Sequence, residues 1–232
     1  MLQRLGALKS GTVHALDGEV GTVEDFYFDD ERWTVRYVVV STGRWLAEPH
    51  VLLSIISLLN PDWDQKRLPV RLTREQVRRS PDIDTHQPVS RAHEAAILSH
   101  YSYPYYWSGP ALWGPVPFPA IAADTATAGL LRPPPPAASQ YDRRLRSANE
   151  VIGYYVHARD GAVGQVSDFL IDPHAWTIEY LLIDGGQWAG ARPLVVEPTV
   201  IRLISWVDHT VEIALPREAL KNNPSPDVAA HR

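Results

Sequence analysis

Carboxylates stand beside glycines and bends throughout this sequence. Asp17 and Asp160 each precede a glycine, and Asp25, Asp29, Asp168 and Asp172 follow them closely. Clustered oxygen ligands at loops suit a hard divalent cation, but the Asp-x-Asp-x-Asp-Gly ladder of a calcium loop is missing. Turn formation and local hydrogen bonding account for Asp17 and Asp29 without a metal. Asp25 and Asp168 fall inside strand patterns, where a carboxylate at a bulge satisfies exposed backbone N–H groups. His14 and His157 occupy matching positions with no His or Cys neighbour at ligand spacing, so both read as strand histidines. His86, His93 and His100 recur at intervals of seven, although Pro88 and the run Tyr101 to Pro104 interrupt any common helix. Gly18-x-x-Gly21 and Gly161-x-x-Gly164 follow a turn between strands and open no helix, which removes a phosphate site on a helix dipole. No Ser/His/Asp, Cys/His or Walker pattern occurs. The expectation is no catalytic set, no cofactor and no metal, hence no enzyme.

Trp45 and Trp188, just past a glycine, read either as interface anchors or as plugs for the ends of a barrel. Tyr103, Tyr105, Tyr106, Trp107 and Trp113 lie in the aromatic run Tyr101 to Trp113. They read either as a recognition patch for a protein partner or as a cover packed over a sheet, since so much exposed apolar area invites aggregation.

The elements that hold these residues are written twice. Shifted by 143 without a gap, Val13 to Val77 meets Val156 to Leu220 with 20 identities in 65 positions, running from Val13, His14 and Ala15 to Arg74 and Glu75. The chain is an internal duplication. Thr12 to Ala15 predicts a strand leading into the Asp17-Gly18 turn. In the next strand Val20, Val23, Phe26 and Phe28 break strict alternation, as do Val163, Val166, Phe169 and Ile171. The shared break predicts a β-bulge near Asp25 and Asp168. Trp33 to Ser41 and Trp176 to Asp184, rich in β-branched and aromatic residues, predict the central strands. Val51 to Leu53 with Leu194 to Val196, and Leu68 to Leu72 with Val211 to Leu215, predict the remaining ones. Thr73-Arg74-Glu75-Gln76 is a capping-box pattern, and Pro216 opens the matching helix.

Asp-Gly-x-x-Gly-x-Val-x-Asp-Phe, followed by an acidic turn and a Tyr-Leu/Val-Val/Leu-Val/Ile strand, resembles the PRC-barrel domain in both copies. That family takes its name from the cytoplasmic domain of the photosynthetic reaction centre H subunit, and it also supplies the C-terminal domain of a ribosome small-subunit maturation factor. The resemblance implies an all-β fold of two small PRC-type β-barrels in tandem, of about six strands each, with no common enzymatic activity. The expected layout is a first barrel over 1–85, a connector over 86–140, a second barrel over 141–222 and a tail over 223–232. Asp17, Gly18, Gly21 and Asp25, with Asp160, Gly161, Gly164 and Asp168, are then structural turn and bulge residues.

Within the connector a short helix is predicted over about 90–99 with Ser90 as N-cap, then the aromatic segment 101–118 and an Ala/Pro-rich linker over 120–140. This stretch holds ten of the twenty prolines. The formal net charge is -5, with no basic segment, which argues against non-specific nucleic-acid binding. No apolar run approaches the roughly 20 residues of a membrane helix, and the absence of Cys fits a reducing compartment. The expectation is a cytoplasmic, non-catalytic interaction or scaffold module with a protein partner, and with homodimer formation or pairing of the two barrels burying spare apolar surface. The alternatives are an accessory factor in ribosome or RNA maturation and a small-ligand or metal-binding module. Between the copies the surface positions differ, Glu19 against Ala162, Glu24 against Ser167 and Arg36 against Glu179, and partner specificity is expected there and in the connector.

Overall fold

The structure, a computed structural model, describes residues 1–43, 50–81, 89–119, 145–186, 193–221 and 226. In chain order its strands are β1 (Gln3–Arg4), β2 (Thr12–Ala15), β3 (Gly18–Asp29), β4 (Thr34–Ser41), β5 (His50–Ser54), β6 (Arg67–Pro69), β7 (Leu145–Ser147), β8 (Tyr155–Ala158), β9 (Gly161–Asp172), β10 (Thr177–Asp184), β11 (Leu194–Val196), β12 (Ile201–Ser205) and β13 (Thr210–Ile213). Helices are few and short, and Arg91–His100 has the most turns among those described. The molecule is mostly β. It divides into two units, one of Leu8–Arg146 with His174–Trp176, the other of Met1–Ala7, Ser147–Pro173 and Thr177–Arg232.

In the first of these, β3 pairs antiparallel with β2 and β4, β4 pairs antiparallel with β5, and β6 lies parallel to β2. The other has the same plan, with β9 between β8 and β10, β11 on β10, and β13 parallel to β8. There β1 adds to β9, Gln3 opposite Ile171. Positive-φ residues also recur at the shift of 143. Ser10 and Gly153, Gly18 and Gly161, Trp33 and Trp176, Gly43 and Gly186, and Lys66 and His209 form such pairs. Because bulky residues avoid this backbone region, the repetition at Trp33 (φ 49) and Trp176 (φ 59) marks the same three-dimensional turn built twice. It also moves the start of the central strands: Trp33 and Trp176 close the preceding turn, and β4 and β10 begin one residue later.

The pairing of β3 with β4, like that of β9 with β10, carries two irregularities. One falls between Val23 and Asp25 and between Val166 and Asp168, where the broken alternation placed a bulge. The other leaves Arg36 in β4 and Glu179 in β10 without a facing residue on β3 and β9. Such extra residues bend a strand and turn side chains out of their alternation, and this second pair has no counterpart in the apolar spacing. Gly21 and Gly164 are fixed by crowding: a Cβ on either would overlap the carbonyl oxygen of Ser41 or Asp184. The core of the first unit gathers Val13, Val20, Val23, Phe28, Val35, Leu52, Leu68 and Val77, all buried. At about 1.5–3 kcal/mol for each large apolar side chain, this burial is the main term holding a chain without disulfides.

Candidate functional site: a charged network beneath the connector

Asp29 ends β3, and its Oδ1 accepts the backbone N–H groups of Glu31 (3.0 Å) and Arg32 (3.3 Å), which closes the turn. Its second oxygen is left for Arg36. The bulge in β4 turns the Arg36 side chain inward, and Nη2 donates to Asp29 Oδ2 at 3.2 Å. Nη1 donates to the carbonyl of Leu112 at 2.6 Å. The guanidinium lies 3.9 Å from the ring centre of Tyr106 and 4.7 Å from that of Trp113, an arrangement in which the ring quadrupole attracts the cation. Arg36 is fully buried. Burial lowers its pKa, while Tyr106 and Asp29 oppose that shift. The sequence places Arg36 among the surface positions that differ between the copies. The structure corrects this for Arg36, because the connector lies over it; Glu19, Glu24, Ala162, Ser167 and Glu179 are exposed.

The connector supplies the other half of the network. Ser90 caps the helix Arg91–His100 by accepting from the His93 N–H, and one helical turn brings Arg91 and Glu94 onto the same face. Arg91 Nη1 is 3.2 Å from Glu94 Oε1 and donates to the Tyr106 hydroxyl oxygen at 2.6 Å. The Tyr106 hydroxyl donates in turn to Glu94 Oε2 at 2.6 Å. The Arg91 guanidinium also lies 4.3 Å from the centre of the Trp107 ring. Loss of hydration raises the Glu94 carboxyl to about 7, against the opposing pull of Arg91, Tyr106 and Tyr37. The phenols of Tyr37 and Tyr106 rise well above their ordinary value, through burial first and the neighbouring Glu94 second. Both therefore remain proton donors at physiological pH. With Arg36 0%, Glu94 1%, Tyr106 2% and Arg91 7% exposed, no substrate reaches these groups in this conformation. The chemistry left to them is to hold the connector to the sheet, and buried charges of this kind persist only when paired.

Four of the five aromatic residues proposed for a partner patch, Tyr103, Tyr105, Tyr106 and Trp113, are buried in this packing, and Trp107 is half-buried. Trp107 stacks on Tyr105 at 4.9 Å and meets Tyr106 edge-on at 4.8 Å. Trp113 donates its Nε1 hydrogen to the carbonyl of Ala175. Trp45, Trp188 and His86 lie outside the described residues.

The turn carboxylates have long-range partners. Asp17 accepts the Arg74 N–H at 2.7 Å and Asp160 the Arg217 N–H at 2.8 Å, so each ties its hairpin turn to the start of the terminal helix. Gly18 and Gly161 beside them adopt φ 145 and 141. Asp25 accepts from the Phe26 N–H. Asp168 accepts from Phe169 and, across the fold of its unit, from the Gly6 N–H at 3.0 Å. Burial raises the Asp168 pKa despite these bonds. His14 is half-buried in β2 and His157 exposed in β8. Among the described residues no group of three or more His, Asp or Glu is placed to hold a metal ion, and no helix is long and apolar enough to cross a membrane.

The other unit differs on its surface. Tyr155, Leu203 and Val207 are 56%, 51% and 90% exposed. Shifted back by 143, their counterparts are Thr12, Asn60 and Asp64. The neighbouring edge differs too: β12 is a continuous strand on β13, whereas the first copy has Pro61 there and keeps only the isolated bridges Leu58–Val70 and Asp62–Arg67.

Paired bulges, twice-built turns and a central bent strand in each unit define a small curled β-sheet domain whose charged groups are used internally. The family model of the PRC-barrel domain matches residues 14–77, and the chain carries a PRC-barrel domain there. No curated protein matches the chain.

Proposed function

We propose that this chain is a cytoplasmic, non-catalytic interaction or scaffold module made of two PRC-type barrels in tandem, and that it engages its partner through the second one. The observation that carries this reading is the divergence between matching surfaces. Over the first copy, the connector covers the sheet with its own aromatic residues and occupies the charged groups beneath. On the second copy, Tyr155, Leu203 and Val207 present apolar area where the first copy has Thr12, Asn60 and Asp64. Exposed aromatic and aliphatic residues grouped on one face are where binding energy concentrates. Photo-crosslinking from Tyr155 and Val207 in cells, followed by mass spectrometry, tests the assignment. Discrete adducts on the second barrel's outer face are expected. Adducts confined to the connector, or turnover of a metabolite by the pure protein, would overturn it.

A further inference from the structure

We infer that the unit of the second copy carries a strand-accepting socket, filled within the chain by Leu2 to Gly6, and that this socket takes the same segment from another molecule of the chain. Tyr155, Leu203 and Val207 have no part in it, so the site is additional to the face assigned above. The duplication shows where each leading strand goes. At the shift of 143, Leu2, Gln3 and Arg4 match Leu145, Arg146 and Ser147, so β1 and β7 are the leading strands of the two copies. Neither pairs with its own copy. β1 adds to β9 of the second copy, and β7 adds to β3 of the first. Met1–Ala7 accordingly belongs to the unit of the second copy, whereas Leu145 and Arg146 belong to that of the first, where Arg146 Nε donates to Asp30 Oδ2. Accepting a strand that lies outside its own copy is the operation by which domain swapping joins separate chains.

The socket recognises its strand in three ways. Gln3 and Arg4 lie antiparallel to Ile171 and Leu170, the backbone pairing by which sheets accept an added peptide. Leu2 packs on the buried Leu170, Leu182 and Val195, beside Tyr180. The Gly6 N–H donates to Asp168 Oδ1 at 3.0 Å. A Cβ on Gly6 would stand 2.9 Å from Asp168 Oδ2, so the carboxylate captures the N–H and leaves no room for a side chain. Arg4 adds a charge attraction to the same carboxylate, and Leu5 is buried. The accepted pattern is therefore an extended Leu-x-Arg-Leu-Gly segment. Asn149 stands at the position of Gly6 in the other leading strand, and its Cβ would meet this crowding beside Asp168.

Within one chain the segment is tethered at Ser10, whose N–H donates to the Val23 carbonyl of the first unit. A tether this short holds the segment at an effective concentration on the order of millimolar. Exchange between wild-type molecules is therefore outcompeted at lower concentrations and shows itself once the internal pairing is disabled.

The test is complementation between two full-length variants. Leu2→Asp/Gly6→Val disables the segment and leaves the socket open, whereas Asp168→Leu disables the socket and leaves the segment free to be donated. Circular dichroism checks that each is folded. In sedimentation each variant alone should be monomeric, and their mixture should form a one-to-one dimer. A mixture of folded variants that stays monomeric, or a dimer that either variant forms equally well alone, would overturn the inference. A second measurement uses only the wild type, and decides the matter if a variant does not fold. A synthetic peptide of Met1 to Leu8 with a photo-reactive group at position 2 should crosslink to β9, β10 or β11, and Gly6→Val in the peptide should cut the yield by about tenfold or more, as overpacking at one site does. Equal yields from the two peptides, or no adduct on these strands, would refute it.

Discussion

Replacing Glu94 by Gln should remove from the first unit a loss of stability that sets in as pH rises. Burial holds the Glu94 carboxyl at about 7 against an ordinary 4.5, so the folded chain grips this proton more tightly than the unfolded chain does. Stability from this group is then fully present below about 4.5 and is lost as pH rises through about 7, opposite in sign to ordinary acid denaturation. At about 1.36 kcal/mol per pH unit, the loss approaches about 3 kcal/mol on the alkaline side. Gln matches the protonated carboxyl in shape, still accepts the Tyr106 hydroxyl and carries no charge to desolvate, although Arg91 loses its anionic partner. Urea unfolding followed by tryptophan fluorescence reports on this unit, because Trp33, Trp63, Trp107, Trp113 and Trp176 all belong to it. At pH 5 the variant should lie close to the wild type, and at pH 8 its stability relative to the wild type should have improved by about 1–3 kcal/mol. Asp168, also raised by burial, gives the wild type a second dependence of the same sign, and the difference between the two proteins removes it. A difference that is the same at pH 5 and pH 8 would refute the buried-carboxyl reasoning.

Arg36→Met strands the Asp29 carboxylate under the connector and removes both ring contacts; about 3–5 kcal/mol should be lost in urea unfolding, and adding Asp29→Asn should cost less than the sum of the single changes. Gly21→Ala and Gly164→Ala each drive a Cβ into a strand carbonyl, so each should lower stability by about 1–3 kcal/mol, whereas Ala at Gly43, where the same Cβ meets nothing, should cost less. Asp17→Ala and Asp160→Ala each release a helix-start N–H and should cost about 1 kcal/mol, with the loss visible as faster hydrogen exchange at Arg74 or Arg217.

Much of the strand framework was legible because turns and bulges demand particular residues. Gly21 and Gly164 are required by carbonyls that leave no room for a side chain, and the broken alternation around Asp25 and Asp168 coincides with a register irregularity. The charged network was not legible as a network. Arg36 stands alone among the apolar and β-branched residues of its strand, a signal in itself, but an exposed strand position explains an arginine equally well. Its burial depends on the connector, whose Leu112 carbonyl and Tyr106 ring lie 76 and 70 residues downstream. Arg91 and Glu94 have the spacing of a surface helix pair, and the Tyr106 hydroxyl is what turns them into a buried triad. Nothing in Gln3 and Arg4 announces that they add to β9, since two residues carry no periodicity. The bond from Asp168 to the Gly6 N–H was hidden for the same reason.

The bulge shared by Arg36 and Glu179 ties the two halves of this picture together. A bulge turns its extra residue out of strict alternation whichever side chain it carries, so the duplicated fold offers the same projecting position twice. In the first copy that position holds a cation, and the connector above it brings a carbonyl and two aromatic faces, a set of acceptors suited to guanidinium. The second copy has an exposed glutamate there, which those same acceptors and rings would repel. Charge at this bulge therefore suits the first copy to the acceptors and rings of the connector. In the covered copy Arg36 is paired with Asp29 and Arg91 with Glu94 inside the unit, and Pro61 breaks the edge that a partner strand would use. The uncovered copy keeps β12 unbroken with Leu203 and Val207 in solvent. Reversing the bulge charge by Arg36→Glu should accordingly release the connector without unfolding the second unit, and increased protease cleavage between Arg91 and Trp113 is the direct measure of it.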